Sequence, residues 1–252
     1  MKKVINWKTF LILSIACVIT SICVMPYQLE LSSDLREAIN EQGINIYLAA
    51  FIQGLTIFPI AVFLGLLLSR KTGFKLPVLE GENKKEQLKS ILLPSIKWGI
   101  ISGILIIICC IPFLKLSLEM VALEANVNPW SALLASFYGG IAEEVLFRLF
   151  LMSLFVWIIS KIIRKKELEN VVIWIAIIVP SVLFGLGHLG ITGALTEITA
   201  EVVIRAVLLN GVGSIIFSIL YWKRGLESAI IAHFSTDIIL HIIAPMVYRL
   251  FS

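Results

Sequence analysis

Charge is scarce in this sequence: Asp, Glu, Lys and Arg make up 15% of its 252 residues, against about 25% in a soluble globular domain. Apolar residues fill the room instead, at 59%, and mean hydropathy reaches +0.97. A soluble fold is about 45–50% apolar and could not hide such an excess, so the surplus must face lipid. The four cysteines, Cys17, Cys23, Cys109 and Cys110, all lie inside apolar runs. That placement argues against a disulfide framework or a thiolate metal centre and suits small buried hydrophobes. Internal repeats and low-complexity segments are missing, as is any HExxH pattern. The net charge of +4 is not gathered on one tail or face, so nucleic acid is not an expected partner. Short basic clusters between apolar runs are what the cytoplasmic loops of a membrane protein carry. Lys2, Lys3 and Lys8 precede a first apolar run, but that run ends at Val24-Met25-Pro26 without a small-x-small cleavage site. A retained first helix is therefore expected rather than a cleaved signal.

A membrane helix needs roughly 17–25 mainly apolar residues. Seven stretches qualify: 9–28, 45–68, 91–114, 131–160, 171–191, 202–222 and 227–250. The polar stretch 31–43 reads as a short interfacial helix. The expected fold is all-α: a polytopic transmembrane bundle forming one membrane domain over 1–252, multi-pass in the cell membrane. Lys and Arg set its orientation. Fifteen of the 21 lie on one side, in the N-terminal segment and in the loops around 70–89, 161–166 and 223–224. Arg36, Lys115 and Arg249 lie on the other, and Lys97, Arg148 and Arg205 fall within spans. The asymmetry predicts a cytoplasmic N-terminus and a C-terminus outside.

A charge near the bilayer centre costs at least ~2.5–3.5 kcal/mol, so each one marks a candidate function. The fourth span holds Glu143, Glu144 and Arg148, the fifth His188, and the seventh His233, Asp237 and His241. Glu144 and Arg148, four apart with the acid first, suit an ion pair on one helical face. Glu143 points elsewhere, rotated by about 100° in an α-helix, with no partner on its own helix. Such a carboxylate can take a proton from water and later return it. Phe184 and His188 share a face among Gly185, Gly187, Gly190 and Gly193, residues that let neighbouring helices approach. The bland readings are a hydrogen-bonded packing histidine, a purely structural Glu144–Arg148 pair, a Phe184 that only packs, and an Arg205 that snorkels or meets a loop carboxylate. Two adjacent carboxylates, three histidines and an aspartate in one bundle exceed what those readings explain.

Glu143-Glu144-Val145-Leu146-Phe147-Arg148 resembles the EExxxR motif of the CPBP family of intramembrane proteases, which includes type II CaaX prenyl endopeptidases and bacterial proteins tied to bacteriocin processing and self-immunity. Phe184-Gly185-Leu186-Gly187-His188 resembles its FxxxH motif, and His233-Phe234-Ser235-Thr236-Asp237 its Hxxx(N/D) motif. The three stand in the family's order on separate spans, within a motif-bearing core of about 131–250. The resemblance implies an intramembrane endopeptidase that cuts a membrane-embedded or lipidated peptide. Glu143 would be the general base, assisted by His188. His233 and Asp237 would stabilise the oxyanion, while Glu144 and Arg148 would support the site. CaaX enzymes more often end the third motif in Asn. An ionised Asp237 cannot donate to an oxyanion, which leaves it the alternatives of orienting His233 or binding a metal.

Glu and two His could also hold zinc with an open fourth position, and Glu143, His188 and His233 would then be the ligands of a metalloendopeptidase. A metal-free glutamate mechanism without a cofactor is the favoured expectation. Depth, counted from the cytoplasmic helix ends at about 1.5 Å per residue, raises a conflict. It puts Glu143 and His188 about 25 Å deep, His233 about 9 Å and His241 about 21 Å. Depth thus favours His241, the challenger, and the motif favours His233. Substrate is expected to enter laterally or from the cytoplasmic face. The rival readings are a non-catalytic bacteriocin immunity or interaction protein and, below it, a proton-coupled transporter.

Overall fold

The computed structural model describes residues 5–252; Lys2 and Lys3, counted above towards orientation, lie outside them. The described residues are helical, with no strand, and seven helices are long and apolar enough to cross a membrane. In chain order the helices are α1 (Trp7–Leu31), α2 (Ser33–Glu41), α3 (Ile46–Thr72), α4 (Lys84–Cys109), α5 (Leu114–Glu124), α6 (Pro129–Ile163), α7 (Glu169–Gly193), α8 (Ala200–Arg224) and α9 (Leu226–Phe251). All but α2 and α5 are membrane-crossing candidates.

Local chemistry sets the boundaries. Asn6, Asn45, Asn128 and Thr199 each offer a side-chain oxygen to an otherwise unpaired N–H at the start of α1, α3, α6 and α8. Ser32 caps α2 in the same way, where a short interfacial helix is expected. Gly73, at φ 81°, ends α3 in the left-handed conformation that glycine adopts without a Cβ penalty. Pro59, Pro94 and Pro180 lie inside helices that continue past them.

The third span departs most from its expected 91–114. It begins at Lys84, because the basic turns before Ile91 continue the same helix, and it stops at Cys109, ahead of Pro112. Residues 114–124 then form a helix of their own, α5, which apolar run length alone does not separate from a loop.

Helix α6 runs between α1, α3 and α9, while α7 lies against α8 and α4 against α9. Gly99 lets α4 and α9 meet: a Cβ there would strike the Ala232 carbonyl. Gly185 does the same for α7 and α8, where a Cβ would lie 2.6 Å from Val207 Cα. Gly190, by contrast, has open space around its Cα, so the glycine-rich stretch of α7 is a close contact only in part. A continuous apolar core of Val62, Leu66, Val145, Leu149, Ile177 and Leu226 fills the half of the bundle nearest the basic loops. Large apolar side chains such as Ile162, Trp130 and Leu250 point outward, as lipid contact requires.

Candidate active site

The three motif segments meet on α6, α7 and α9, and two of these helices are unusually wound there. Tyr138–Glu143 and Val145–Met152 of α6 are π-helical, as is Ile238–Ile243 of α9. Their backbone bonds run i→i+5, a winding that turns less per residue than an α-helix and recurs at functional sites. An α-helical count of angles and depths does not hold across these stretches.

Arg148 and Glu144 form the foundation. Both are fully buried, with Arg148 Nη1 2.9 Å from Glu144 Oε1. Arg148 Nη2 donates to the Ser214 carbonyl at 3.2 Å, tying α6 to α8. The guanidinium lies 5.0 Å from the ring centre of Phe184 and 5.4 Å from that of Phe217. These aromatic faces attract a cation that has lost its water.

Glu144 does more than pair with arginine. Its Oε1 also accepts from His233 Nδ1 at 2.7 Å, so one carboxylate oxygen joins the first motif to the third. The His233 ring stacks on Phe217, with centroids 4.4 Å apart and planes 19° from parallel. With Nδ1 committed, Nε2 faces Glu143 Oε2 at 3.8 Å and Asp237 Oδ1 at 3.5 Å. Glu143 itself makes no hydrogen bond among the described residues and keeps 19% of its side chain exposed.

On α7, His188 Nδ1 donates to the Phe184 carbonyl one turn back, at 2.8 Å. The bond fixes the tautomer and leaves Nε2 as the free ring nitrogen. Phe184 lies against Phe147, His188 and His233 as well as Arg148, so the aromatic of the second motif is the packing hub of all three motifs.

Glu143, His188, His233 and Asp237 line one cavity of about 320 Å³. His241 lines it too, but farther along: its Nδ1 lies 3.2 Å from Tyr27 Oη and 3.1 Å from Glu124 Oε2. The structure thus places His233 beside the glutamates and His241 with α1 and α5. Side-chain contacts, rather than residue counts from the helix ends, decide which ring meets the glutamates. Arg205, expected to snorkel or meet a loop carboxylate, instead donates to Ser117 Oγ at 3.0 Å on the cavity wall.

The metal set fares differently. Among the described residues, no group of three His, Cys, Asp or Glu is placed to hold a metal ion, so Glu143, His188 and His233 are not assembled as ligands. The metalloendopeptidase expectation therefore gains no support.

Sequence reasoning passed over Phe217 and Gly139. Phe217 is one aromatic in an apolar run and carries no signal of its own. Gly139 sits where a Cβ would strike Asp237 Oδ2 and lie 3.3 Å from His233 Nε2; the Gly139-Gly140 pair just ahead of the two glutamates is the trace it leaves in the sequence. No curated protein and no solved structure matches the chain. Residues 125–239, the stretch that carries all three motifs, do match a family model, that of the Rce1-like type II CAAX prenyl endopeptidases, consistent with a CPBP family intramembrane protease.

Proposed function

We propose that this protein is an intramembrane endopeptidase that hydrolyses a peptide bond with a water activated by Glu143. The family match supports a membrane endopeptidase of the CAAX type in general. The observation that carries the finer reading is the contrast between the two glutamates. Glu144 Oε1 is held by Arg148 and His233, whereas Glu143 lines the shared cavity and makes no hydrogen bond among the described residues. A base must meet water to take its proton, and of the pair it is Glu143 that lines the cavity, whereas Glu144, its Oε2 unpartnered, is fully buried.

In this mechanism a water donates one hydrogen to Glu143 and the other to His188 Nε2. Its oxygen attacks the scissile carbonyl carbon as Glu143 takes the proton. His233, doubly protonated, donates through Nε2 to the oxyanion, with Glu144 as its counter-charge. The C–N bond then breaks, and Glu143 returns the proton to the leaving nitrogen. Asp237 stands beside the Nε2 face of His233 and orients that ring. No step is routed through a metal.

Substrates of this reading are membrane-embedded or lipidated peptides, and the protein works in the cell membrane with its N-terminus in the cytoplasm. Comparing the membrane peptides that accumulate in cells with the parent protein and with Glu143→Ala tests it. A precursor that builds up only with Glu143→Ala is the expected result. Identical peptide pools from two equally inserted proteins would remove the reading.

A further inference from the structure

We infer that the cavity takes its substrate from the face opposite the basic loops, which the distribution of Lys and Arg makes the non-cytoplasmic face. This rests on the protease reading for the word substrate, but the geometry of access stands on its own. It differs from the lateral or cytoplasmic entry expected from the sequence.

Two sets of residues carry the inference. The first is the cavity wall away from the glutamates: Gln28 at the end of α1, Cys110 after α4, Met120 and Glu124 of α5, and Leu195 beyond α7. All belong to the end of the bundle where α2 and α5 lie. On α6 the lining stops at Glu143, nearer the Pro129 end than the Ile163 end. Among the described residues, none from the basic loops at 70–89, 161–166 or 223–224 lines the cavity.

The second set closes the other side. Beyond Glu143 come the fully buried Glu144 and Arg148, and then Val145, Leu149, Met152 and Tyr221, each with no exposed surface. A layer of that kind leaves water no passage from the basic end, because a packed interior has few voids as large as a water molecule. A peptide that reaches Glu143 therefore comes from the half of the bundle towards α5 and not through the basic end. The substrate class is a membrane peptide whose scissile bond lies in the half of the bilayer away from the basic loops.

Thiol accessibility tests this without any substrate. Cys109 and Cys110 are replaced by Ser, and Lys85→Cys, Met120→Cys or Asn210→Cys is added singly. Lys85 reports the basic loops, Met120 the mouth, and Asn210, half-buried on α8, the cavity wall. A membrane-impermeant thiol reagent is applied to right-side-out and to inverted vesicles, and the mass shift is read, with the Ser background as blank. Met120→Cys and Asn210→Cys should react only in right-side-out vesicles and Lys85→Cys only in inverted ones. Reaction of Asn210→Cys from the Lys85 face overturns the inference. So does an Asn210→Cys that stays silent while Met120→Cys reacts, or a Lys85→Cys that reacts from outside. If Asn210→Cys fails to insert, Leu195→Cys takes its place with the same outcomes. Failure of Glu143→Ala to change the peptide pool would remove the protease reading and leave the labelling result intact.

Discussion

Glu143 and Glu144 are neighbours in the chain with opposite circumstances. Glu144 Oε1 serves a buried arginine and a histidine, while Glu143 has no hydrogen-bond partner among the described residues. Replacing Glu144 by Gln leaves Arg148 as an uncompensated buried charge, a change that costs about 3–5 kcal/mol. Thermal unfolding in detergent should show a clear fall in Tm for Glu144→Gln and almost none for Glu143→Gln; equal Tm values for the two would contradict the division of roles. The two histidines of α9 separate in the same manner. His233→Gln removes the ring beside the glutamates and should lower cleavage by about 10²–10³-fold, the scale of a lost oxyanion donor. His241→Gln removes the Tyr27 and Glu124 contacts and should leave cleavage near that of the parent. Rates that reverse this order would restore His241 as the catalytic ring. The sequence alone offered both, because it located ionisable groups along each helix and not the partners that helix winding brings to them.

Helices α6 and α9 show what a periodic reading can and cannot recover. Apolar run length located all seven spans, since each must cover the same lipid thickness. The i, i+4 rule found the Glu144–Arg148 contact, because one side chain reaches the other whether the turn is α or π. It could not foresee the π winding at 138–143, 145–152 and 238–243, which no residue type announces. Nor could it foresee that α6 and α9 press together at Gly139. A methyl there meets Asp237 and His233, so Gly139→Ala should push the two motif segments apart. A displacement of about 1 Å is enough to cost about 10²-fold in rate. Cleavage measured beside protein yield checks this: lost turnover with normal yield is expected, and full turnover would show the contact to be unimportant. At the other end of α9, Glu227 Oε1 accepts from the N–H groups of Val78 at 3.0 Å and Leu79 at 2.8 Å. Leu226 N donates to the Lys75 carbonyl in the same place. Hydrogen bonds to a charged group contribute about 1.5–3 kcal/mol each, so Glu227→Ala should free the segment around 75–80. Limited proteolysis should then cut that segment faster than in the parent; an unchanged rate would mean that the carboxylate does not hold it.

Across the whole molecule the bundle is divided by function along its length. An apolar core of α3, α6, α7 and α8 residues fills the half towards the basic loops, and the cavity occupies the half towards α2 and α5. Composition announced lipid contact and the ionisable groups announced a site, but the cavity's direction was not legible. Direction depends on which side chains pack against α6 beyond Arg148, and Val145, Leu149 and Ile177 look like any other apolar residue in a list. Helix α5 was hidden for a related reason: it is short and lies between longer runs, yet its Glu124 reaches His241 and the Ala125 and Val127 carbonyls just after it receive Arg249. The reading as an immunity protein without catalysis makes the opposite demand on this architecture, namely that protection survive Glu143→Ala and His188→Ala together. The central claim is that one free carboxylate in this cavity activates water. Its most direct test is cleavage of an accumulating membrane peptide by purified parent protein and by Glu143→Gln in the same detergent or bilayer. The account expects the Gln protein to retain its fold and Tm and to lose cleavage by at least about 10²–10⁴-fold, the contribution of a positioned general base. A Gln protein that cuts the peptide as fast as the parent would contradict it.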